Sequence, residues 1–538
     1  MPKWSFDCGC CFDIIENNGE KHKLLFSPKI ESINLCCAKT WELISSGNTK
    51  GCFQLESRLG QMMAKKLKPE NIEQLSGLIS ILRPGCLEAI RDGKSVTNHY
   101  IDKKNGLESI NYFHEALETS LSTTYGEMIY QEQAMSIAKD LAGFDLQEAD
   151  SLRKAIGKKK PEEMAKVKQK FLDGTKKLNI VNQKEAEEIF GWIEKSQRYS
   201  FNKSHGISYA MNAYLSAYAK AHFPEAFFVS YLKFAKDKID PQQEIKELIK
   251  NATEMDINIC LPDLRLQNSN FGIFNNKIYF GLTDIKGVGD SVFAKLSDIC
   301  KNIDLYKISW TELLIKILLN INSTAAKALI SSGAIDYLNK NRTEMLFDLE
   351  IISSLTKKEL EYIAPILSNT ITLKDIMSYL INYSKVNTKR KQAIQSLLQT
   401  IKNPPYSLID KIEWLADTES SLLGTAISCS KLDTYDIEMT NTDCKTFKTT
   451  NSISNIIMAG EITNINIIKT KKGKLSGQEM SFVSIEDQTG SLDSVIFFPE
   501  IYAKYKHHLF ENNILIFVGN KSKTKDGLIV DKCFVPRS

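Results

Sequence analysis

The sequence predicts an α+β multidomain protein: a mainly helical region first, a short strand-and-helix module next, and a small β-barrel at the C-terminal end. Three observations carry this. Apolar residues recur at helical spacing through much of residues 49–270, as one buried face of a 3.6-residue repeat requires. Residues 271–338 place a short strand pair before Ile285-Lys286-Gly287-Val288-Gly289 and further helical segments. Residues 455–535 alternate with period two between turn signals, the pattern of half-buried strands. At roughly 100–200 residues per domain, a chain of 538 residues holds several domains.

The composition, 43% hydrophobic and 25% charged, excludes a mostly disordered or collagen-like chain. No apolar run reaches the roughly 18 residues of a membrane-spanning helix. Met1-Pro2-Lys3-Trp4 leads into cysteine-rich sequence and not an apolar stretch, so no signal peptide and no membrane are expected, and the location implied is the cytoplasm, of a cell or of an infected host. Residues 1–48 form a Cys-rich segment expected to be strand or loop. Five of the twelve cysteines fall there: Cys8, Cys10, Cys11, Cys36 and Cys37. Cys8, Cys10, Cys36 and Cys37 are zinc candidates, because a C-x-C-C followed by C-C can offer four thiolates. The spacing departs from paired C-x₂-C knuckles, and reduced, unliganded thiols are the simpler reading.

The elements follow in order. Met128, Ile129, Met135, Ile137, Ala138 and Leu141 trace one helical face, closed by Gly143. Asp145 can cap a helix over residues 146–156 that ends at Gly157. Pro161 suits the first turn of the next helix, and a helical run over residues 208–222 stops before Pro224. Strands at 271–274 and 277–281 turn at Asn275-Asn276, and a looser helical pair at 310–319 and 324–332 precedes Gly333. Residues 339–450 read as a helical, Ile/Leu/Lys-rich linker, broken at Asn403-Pro404-Pro405. Strands at 482–485, 492–498, 514–518 and 528–530 are separated by turns at Lys472-Gly473, Thr489-Gly490 and Asp526-Gly527. Short strands so spaced fit an OB-fold barrel.

The net charge is only +4, but it is focused. Residues 153–177 hold ten basic and three acidic residues, +7 in all, and the remainder of the chain sums to −3. Such focusing steers phosphate ligands; a solvated helix face is the bland alternative. Lys286-Gly287-Val288-Gly289, between strand and helix, reads as the hairpin of a helix–hairpin–helix element, whose backbone N–H groups can hold a DNA phosphate without reading sequence. In the barrel, Lys469, Lys471, Lys472 and Lys474 lie in the first long hairpin. Phe497, Phe498, Tyr502 and Tyr505 could stack bases of a single strand, or be core, which is the favoured reading for Phe497 in its alternating strand. Arg153 and Lys154 could complement a helix dipole, and Lys203 and His205 could be plain surface residues. A triphosphate, however, needs several cations converging on one pocket.

These residues carry a resemblance. Gly51-Cys52-Phe53-Gln54-Leu55-Glu56-Ser57, Leu82-Arg83-Pro84-Gly85, Tyr130-Gln131-Glu132-Gln133, Leu152-Arg153-Lys154-Ala155-Ile156-Gly157-Lys158-Lys159 and Phe201-Asn202-Lys203-Ser204-His205 occur in that order. Together they resemble the fingers domain of the alpha subunit of bacterial DNA polymerase III, the family C replicative polymerases. The resemblance continues through Ile285-Lys286-Gly287-Val288-Gly289, Ser332-Gly333-Ala334-Ile335-Asp336, Glu419-Ser420-Ser421-Leu422-Leu423-Gly424 and Met458-Ala459-Gly460. It covers most of the chain.

The resemblance implies a fingers domain at 49–270, a helix–hairpin–helix module at 271–338, a linker with a candidate clamp-binding region at 339–450 and an OB-fold at 451–538. It implies that Arg83, Arg153, Lys154, Lys158, Lys159, Lys203 and His205 line the incoming dNTP's triphosphate or the nearby template. Tyr130, Gln131 and Glu132 would shape that pocket, and Lys286, Gly287, Val288, Gly289, Lys469, Lys471 and Lys472 would contact DNA. Gln395-Ser396-Leu397-Leu398 matches a sliding-clamp motif poorly, and an amphipathic helix explains it more simply.

The sequence also departs from the family. The family's palm carries aspartates that bind Mg²⁺, in a Pro-Asp-Phe-Asp-like stretch, and none occurs here. The expectation is therefore a split polymerase: Mg²⁺ and the reacting centre on a palm- and thumb-bearing partner chain, with this chain inactive alone. A start at Met1 so close to the fingers fits a gene-level break, which a bacteriophage genome would tolerate. The competing reading is a non-catalytic DNA- and nucleotide-binding protein acting on a replisome. The absence of G-x-S-x-G, H-E-x-x-H and Walker A motifs speaks against an ordinary hydrolase.

Overall fold

The structure, a computed structural model, describes residues 14–17, 20–23, 33–158, 161–196, 199–368, 370–449, 454–470, 476–522 and 527–537. It divides into two compact units, Met1–Phe227 and Phe228–Ser538.

The first unit is built on helices. A helix at Ala38–Ser46 occupies a stretch where the cysteine-rich sequence suggests strand or loop. Its buried Trp41 and Ile44 supply the reason: Trp41 packs 4.8 Å from the Tyr214 ring, between centroids, on the long helix Lys203–His222. Gly47, at φ +82°, ends it, in the left-handed conformation that glycine adopts without a Cβ clash. The helix Ile72–Ile81 lies against Lys203–His222 so closely that a Cβ on Gly206 would stand 2.7 Å from the Ser76 hydroxyl. A second core gathers Leu141, Phe144, Leu152, Phe171, Phe190 and Ile193 from the helices Gln131–Ala142, Leu146–Lys158, Pro161–Leu178 and Gln183–Ser196. The helix from Leu146 runs through Gly157 to Lys158 and does not end at the glycine. One interior glycine costs only about 1 kcal/mol relative to alanine, which the buried Ala149 and Leu152 face can offset.

In the second unit, strands Gly272–Phe274 and Lys277–Tyr279 form a hairpin, and Ile259–Cys260 adds to it in parallel. Asn275 and Asn276 have φ of +50° and +59°, the backbone that a two-residue turn between twisted strands needs. Helices Asp290–Lys301, Trp310–Asn320 and Ser323–Ser331 follow. Four more, Arg342–Ser353, Lys357–Ile363, Leu373–Ile381 and Thr388–Lys402, extend the array. The last of these stops just before Asn403-Pro404-Pro405.

The chain ends in a closed five-stranded barrel: Ile456–Lys469, Glu479–Asp487, Gly490–Phe497, Ile514–Lys521 and Leu528–Phe534. The order around it is third, fifth, fourth, first, second. Every pairing is antiparallel except that of the third and fifth strands. With the helix Pro499–Tyr505 between the third and fourth strands, this is OB-like topology. The first strand is hidden in the sequence because its register shifts between Ile462 and Asn464 and its second half is largely exposed, so no period-two pattern runs its length.

Candidate functional site

In the first unit, six of the residues singled out by the sequence meet around Phe201. A parallel bridge joins Phe201 to Tyr130. The Gln131 N–H donates to Phe201 O at 2.8 Å, and the Phe201 N–H donates to Ile129 O at 2.8 Å. This bridge seats the Tyr-Gln-Glu-Gln segment, at the start of the helix Gln131–Ala142, beside the start of the helix Lys203–His222.

Each member of that segment has a separate task. Tyr130 is buried, and its hydroxyl lies 2.9 Å from the Ser76 hydroxyl; burial pushes its phenol up to about 12. The Gln131 amide faces Ser200 O at 3.5 Å. Glu132 accepts from Asn202 Nδ2 and from the Lys203 backbone N–H, both at 2.9 Å. It thereby satisfies an orphan donor of the following helix from outside it. Gln133, buried, accepts the N–H groups of Ile129 and Tyr130, both at 2.9 Å. Asn202 caps the Lys203 helix, accepting from the His205 N–H at 2.8 Å.

Arg83, Lys203 and His205 stand at the surface of this framework. The Arg83 guanidinium sits 3.8 Å from the Phe201 ring centroid, a cation–π contact. Lys203 pairs with Glu73 at 2.6 Å and lies 5.6 Å from the Tyr130 ring centroid. The His205 ring is edge-on to Phe201, 5.3 Å between centroids, and 3.9 Å from Tyr209. Tyr209 in turn meets the half-exposed Phe53, 5.1 Å away. The result is a guanidinium, an ammonium and an imidazole beside aromatic faces. Such a set can hold an anionic, ring-bearing ligand. Its carboxylates, Glu73 and Glu132, are already engaged, so the donors suit phosphate oxygens and not a divalent cation.

The remaining nucleotide-site candidates begin on the next helix in sequence. Arg153 and Lys154, on the helix Leu146–Lys158, both hold Asp150, at 2.8 and 2.6 Å. Those contacts hold the Asp150 carboxyl below the usual range, Lys154 contributing most. Lys158 is the last residue of that helix, and Lys159 lies outside the described residues. The central position of Phe201 and the roles of Ser76 and Glu73 have no signal in the sequence. Phe201 opens the Phe-Asn-Lys-Ser-His stretch, but only the pairing with Tyr130 shows what it organises.

The zinc candidates divide. Cys8 and Cys10 lie outside the described residues. Cys36 is exposed and Cys37 buried, with the Cys37 Sγ 3.2 Å from His222 Nε2. Among the described residues no group of three or more His, Cys, Asp or Glu is placed to hold a metal ion.

In the second unit, Lys286, Gly287 and Gly289 are exposed while Val288 is buried. Gly287 takes φ +96°, turning the chain so that Gly289 precedes the first turn of Asp290–Lys301. The Lys286 N–H is held by Leu422 O at 3.0 Å. On the barrel, Lys469 ends the first strand, and Lys471 and Lys472 lie outside the described residues. Phe497 is fully buried, Tyr502 is buried, and Tyr505 packs on the same core. Of the four stacking candidates, Phe498 is the most exposed, at 45%, whereas Tyr505 is half-buried.

Comparison with known proteins assigns these parts. Residues 10–179 match the family model described as the bacterial DNA polymerase III alpha subunit finger domain, and residues 255–345 match the helix-hairpin-helix motif. A finger domain, a helix-hairpin-helix region and an OB-like barrel in one chain define the class: a later portion of a bacterial replicative polymerase subunit. The DNA polymerase III subunit alpha of Aquifex aeolicus is 31% identical over 489 residues, 89% of this chain and 37% of that protein. The subunits of Borreliella burgdorferi and Pseudomonas aeruginosa are 30% and 29% identical over 94% and 97% of this chain. The chain belongs to the DNA polymerase III alpha subunit family and spans about two fifths of the length of these curated relatives, 37% to 43%. No described helix is long and apolar enough to cross a membrane.

Proposed function

We propose that this chain is the fingers-to-barrel part of a replicative DNA polymerase, binding the incoming dNTP and the primer–template for templated DNA synthesis. The observation that carries the proposal is the placement of Arg83, Lys203 and His205 around Phe201, on a framework locked by Tyr130, Gln131 and Glu132. Arg83 and Lys203 would meet the triphosphate oxygens, and the aromatic faces would border the base or sugar. Positioned cations lower the barrier to phosphoryl transfer by orienting the substrate and stabilising developing charge.

Arg153, Lys154, Lys158 and Lys159 would meet the triphosphate or the template, with Arg153 and Lys154 exchanging Asp150 for phosphate. The Lys286–Gly289 turn would hold duplex backbone, and the barrel, with Lys469, Lys471 and Lys472, the single-stranded template. The proposed domains are the fingers at 49–270, the helix–hairpin–helix module at 271–338, the linker at 339–450 and the OB-fold at 451–538.

The residues at the site do not fit a divalent cation. The proposal gives Mg²⁺ to the palm of a partner chain. Primer extension tests the reading. With Mg²⁺ and all four dNTPs, this chain alone should extend nothing, and adding a palm-bearing chain should restore synthesis. Extension by the chain alone would overturn the split assignment. DNA binding without any rescue would favour the non-catalytic binding protein.

A further inference from the structure

One aromatic cluster has no part in the proposed nucleotide site. Tyr362 lies near the end of the helix Lys357–Ile363, Tyr379 lies in the helix Leu373–Ile381, and Tyr383 follows that helix in the turn. Tyr362 and Tyr383 stack with centroids 3.6 Å apart and planes 17° apart. Tyr362 and Tyr379 stack at 5.2 Å and 21°. Among the described residues the other aromatic pairs of this unit are tilted or edge-on, the arrangement that ring quadrupoles accommodate more readily than a face-to-face sandwich.

The rings are not the core of these helices. Ile363, Ile376, Met377, Leu380 and Ile394 fill that role, all fully buried. The tyrosines lie outside them, with Tyr379 39% exposed. The surrounding charge is one-sided. Residues 351–402 hold eight basic and three acidic residues, against a whole-chain net of only +4. The acids are engaged: Glu359 by Arg390 at 2.7 Å, Asp375 in the cap of its own helix, and Glu361 by Lys357 at 3.9 Å. Lys374, Lys385 and Lys389 are exposed. Lys385 is two residues from Tyr383, and Lys374 is on the same helix as Tyr379.

We propose that Tyr362, Tyr379 and Tyr383 form a stacking platform for the bases of single-stranded DNA, with Lys374, Lys385 and Lys389 meeting its phosphates. Stacked rings with an exposed end member offer a π-face to any base, and a cationic border tracks the backbone; together these bind a single strand without reading its sequence. Charge complementarity favours a polyanion over an apolar protein segment. The platform is separate from the barrel and would serve a polymerase part or a non-catalytic binder alike.

The test uses the full chain and a 4-thiothymidine-containing oligo(dT), photocrosslinked and mapped by mass spectrometry. Crosslinks to the Tyr379 or Tyr383 peptide are expected; crosslinks confined to the barrel or the fingers would overturn the proposal. The double variant Tyr379→Leu/Tyr383→Leu should weaken oligo(dT) binding about fivefold or more, the scale of one lost base–aromatic stack. The Tyr379→Phe/Tyr383→Phe variant should keep near-native affinity, and duplex binding should be unchanged in both. Native affinity in a folded Leu variant, or an equal loss in the Phe variant, would refute a stacking role. If the Leu variant fails to fold, the crosslinking on the unaltered chain decides the question.

Discussion

The Glu132 carboxylate accepts the backbone N–H of Lys203 at 2.9 Å, across 71 positions of sequence. Its other oxygen holds Asn202 Nδ2. One side chain thus fixes both the cap residue and the first residue of the helix that presents Lys203 and His205.

Glu132→Ala should therefore act on positioning before it acts on charge. Asn202 stays as the cap, but loss of the charged acceptor for its amide and for the Lys203 N–H should cost on the order of 1–3 kcal/mol and lower the melting temperature by a few degrees. The effect on nucleotide should be a weaker dNTP affinity, because Lys203 loses its fixed origin. Glu132→Gln keeps one acceptor and should recover most of the stability. Calorimetry and dNTP titration on the same samples check both.

Arg83 makes a different prediction. It is exposed and rests on Phe201, so Arg83→Ala should leave the fold intact. If it meets a phosphate, removing a charge-assisted contact worth about 1.5–3 kcal/mol should weaken dNTP binding by roughly tenfold or more. Arg83→Lys should recover only part, since an ammonium lacks the planar fork that pairs with phosphate and stacks on a ring. Unchanged dNTP affinity in a folded Arg83→Ala protein would remove Arg83 from the site.

The second unit turns on a buried pair. Arg342 meets Glu419 at 2.8 Å, with both side chains nearly or fully buried. Glu419 also accepts the N–H groups of Ile427 and Ser428, at 2.7 and 2.9 Å, and Arg342 reaches Asp336 at 2.7 Å. Glu419→Ala leaves a buried guanidinium and the two N–H donors without this partner, and should cost about 3–5 kcal/mol. Replacing both partners, as Arg342→Met with Glu419→Leu, should cost less than the single change. Urea denaturation of the set checks the order.

How much of this was legible in the sequence follows from how local each signal is. The Asn275-Asn276 turn and the last four barrel strands are written in neighbouring residues, and they stand where the period-two pattern and turn residues place them. Arg342–Glu419 is not so written, because its partners lie 77 positions apart and a lone Arg or Glu reads as surface. The same holds at the candidate site. The Tyr130 and Phe201 motifs are visible as separate strings, but only the bridge between them shows that Glu132 serves the helix. The run 153–177 is legible as charge but not as contacts. Its net charge points to Arg153 and Lys154, whereas the structure neutralises part of it locally through Asp150.

Asp284, half-buried, and His222, buried, give the chain an acid–base signature. Burial pushes the Asp284 carboxyl up to about 6 from an ordinary 3.8, against the opposing Gly281 N–H bond. A raised folded value means its contribution to stability is full below about pH 4 and is lost as pH rises through about 6. Asp284→Asn should stabilise the protein at neutral pH by on the order of 2–3 kcal/mol, since each tenfold weakening of the acid corresponds to about 1.4 kcal/mol, with little change at pH 4. His222 titrates the other way. Burial first, and Lys39 second, push it down to about 4 from 6.5, so it is neutral beside the Cys37 thiol at neutral pH. Its contribution is full above about pH 6.5 and is lost as pH falls toward 4. Melting curves from pH 4 to 8 on the parent, Asp284→Asn and His222→Gln should separate the two: the first variant loses the decline with rising pH, and the second loses the decline on acidification. A parent curve whose slope neither substitution alters would place the titration in other groups.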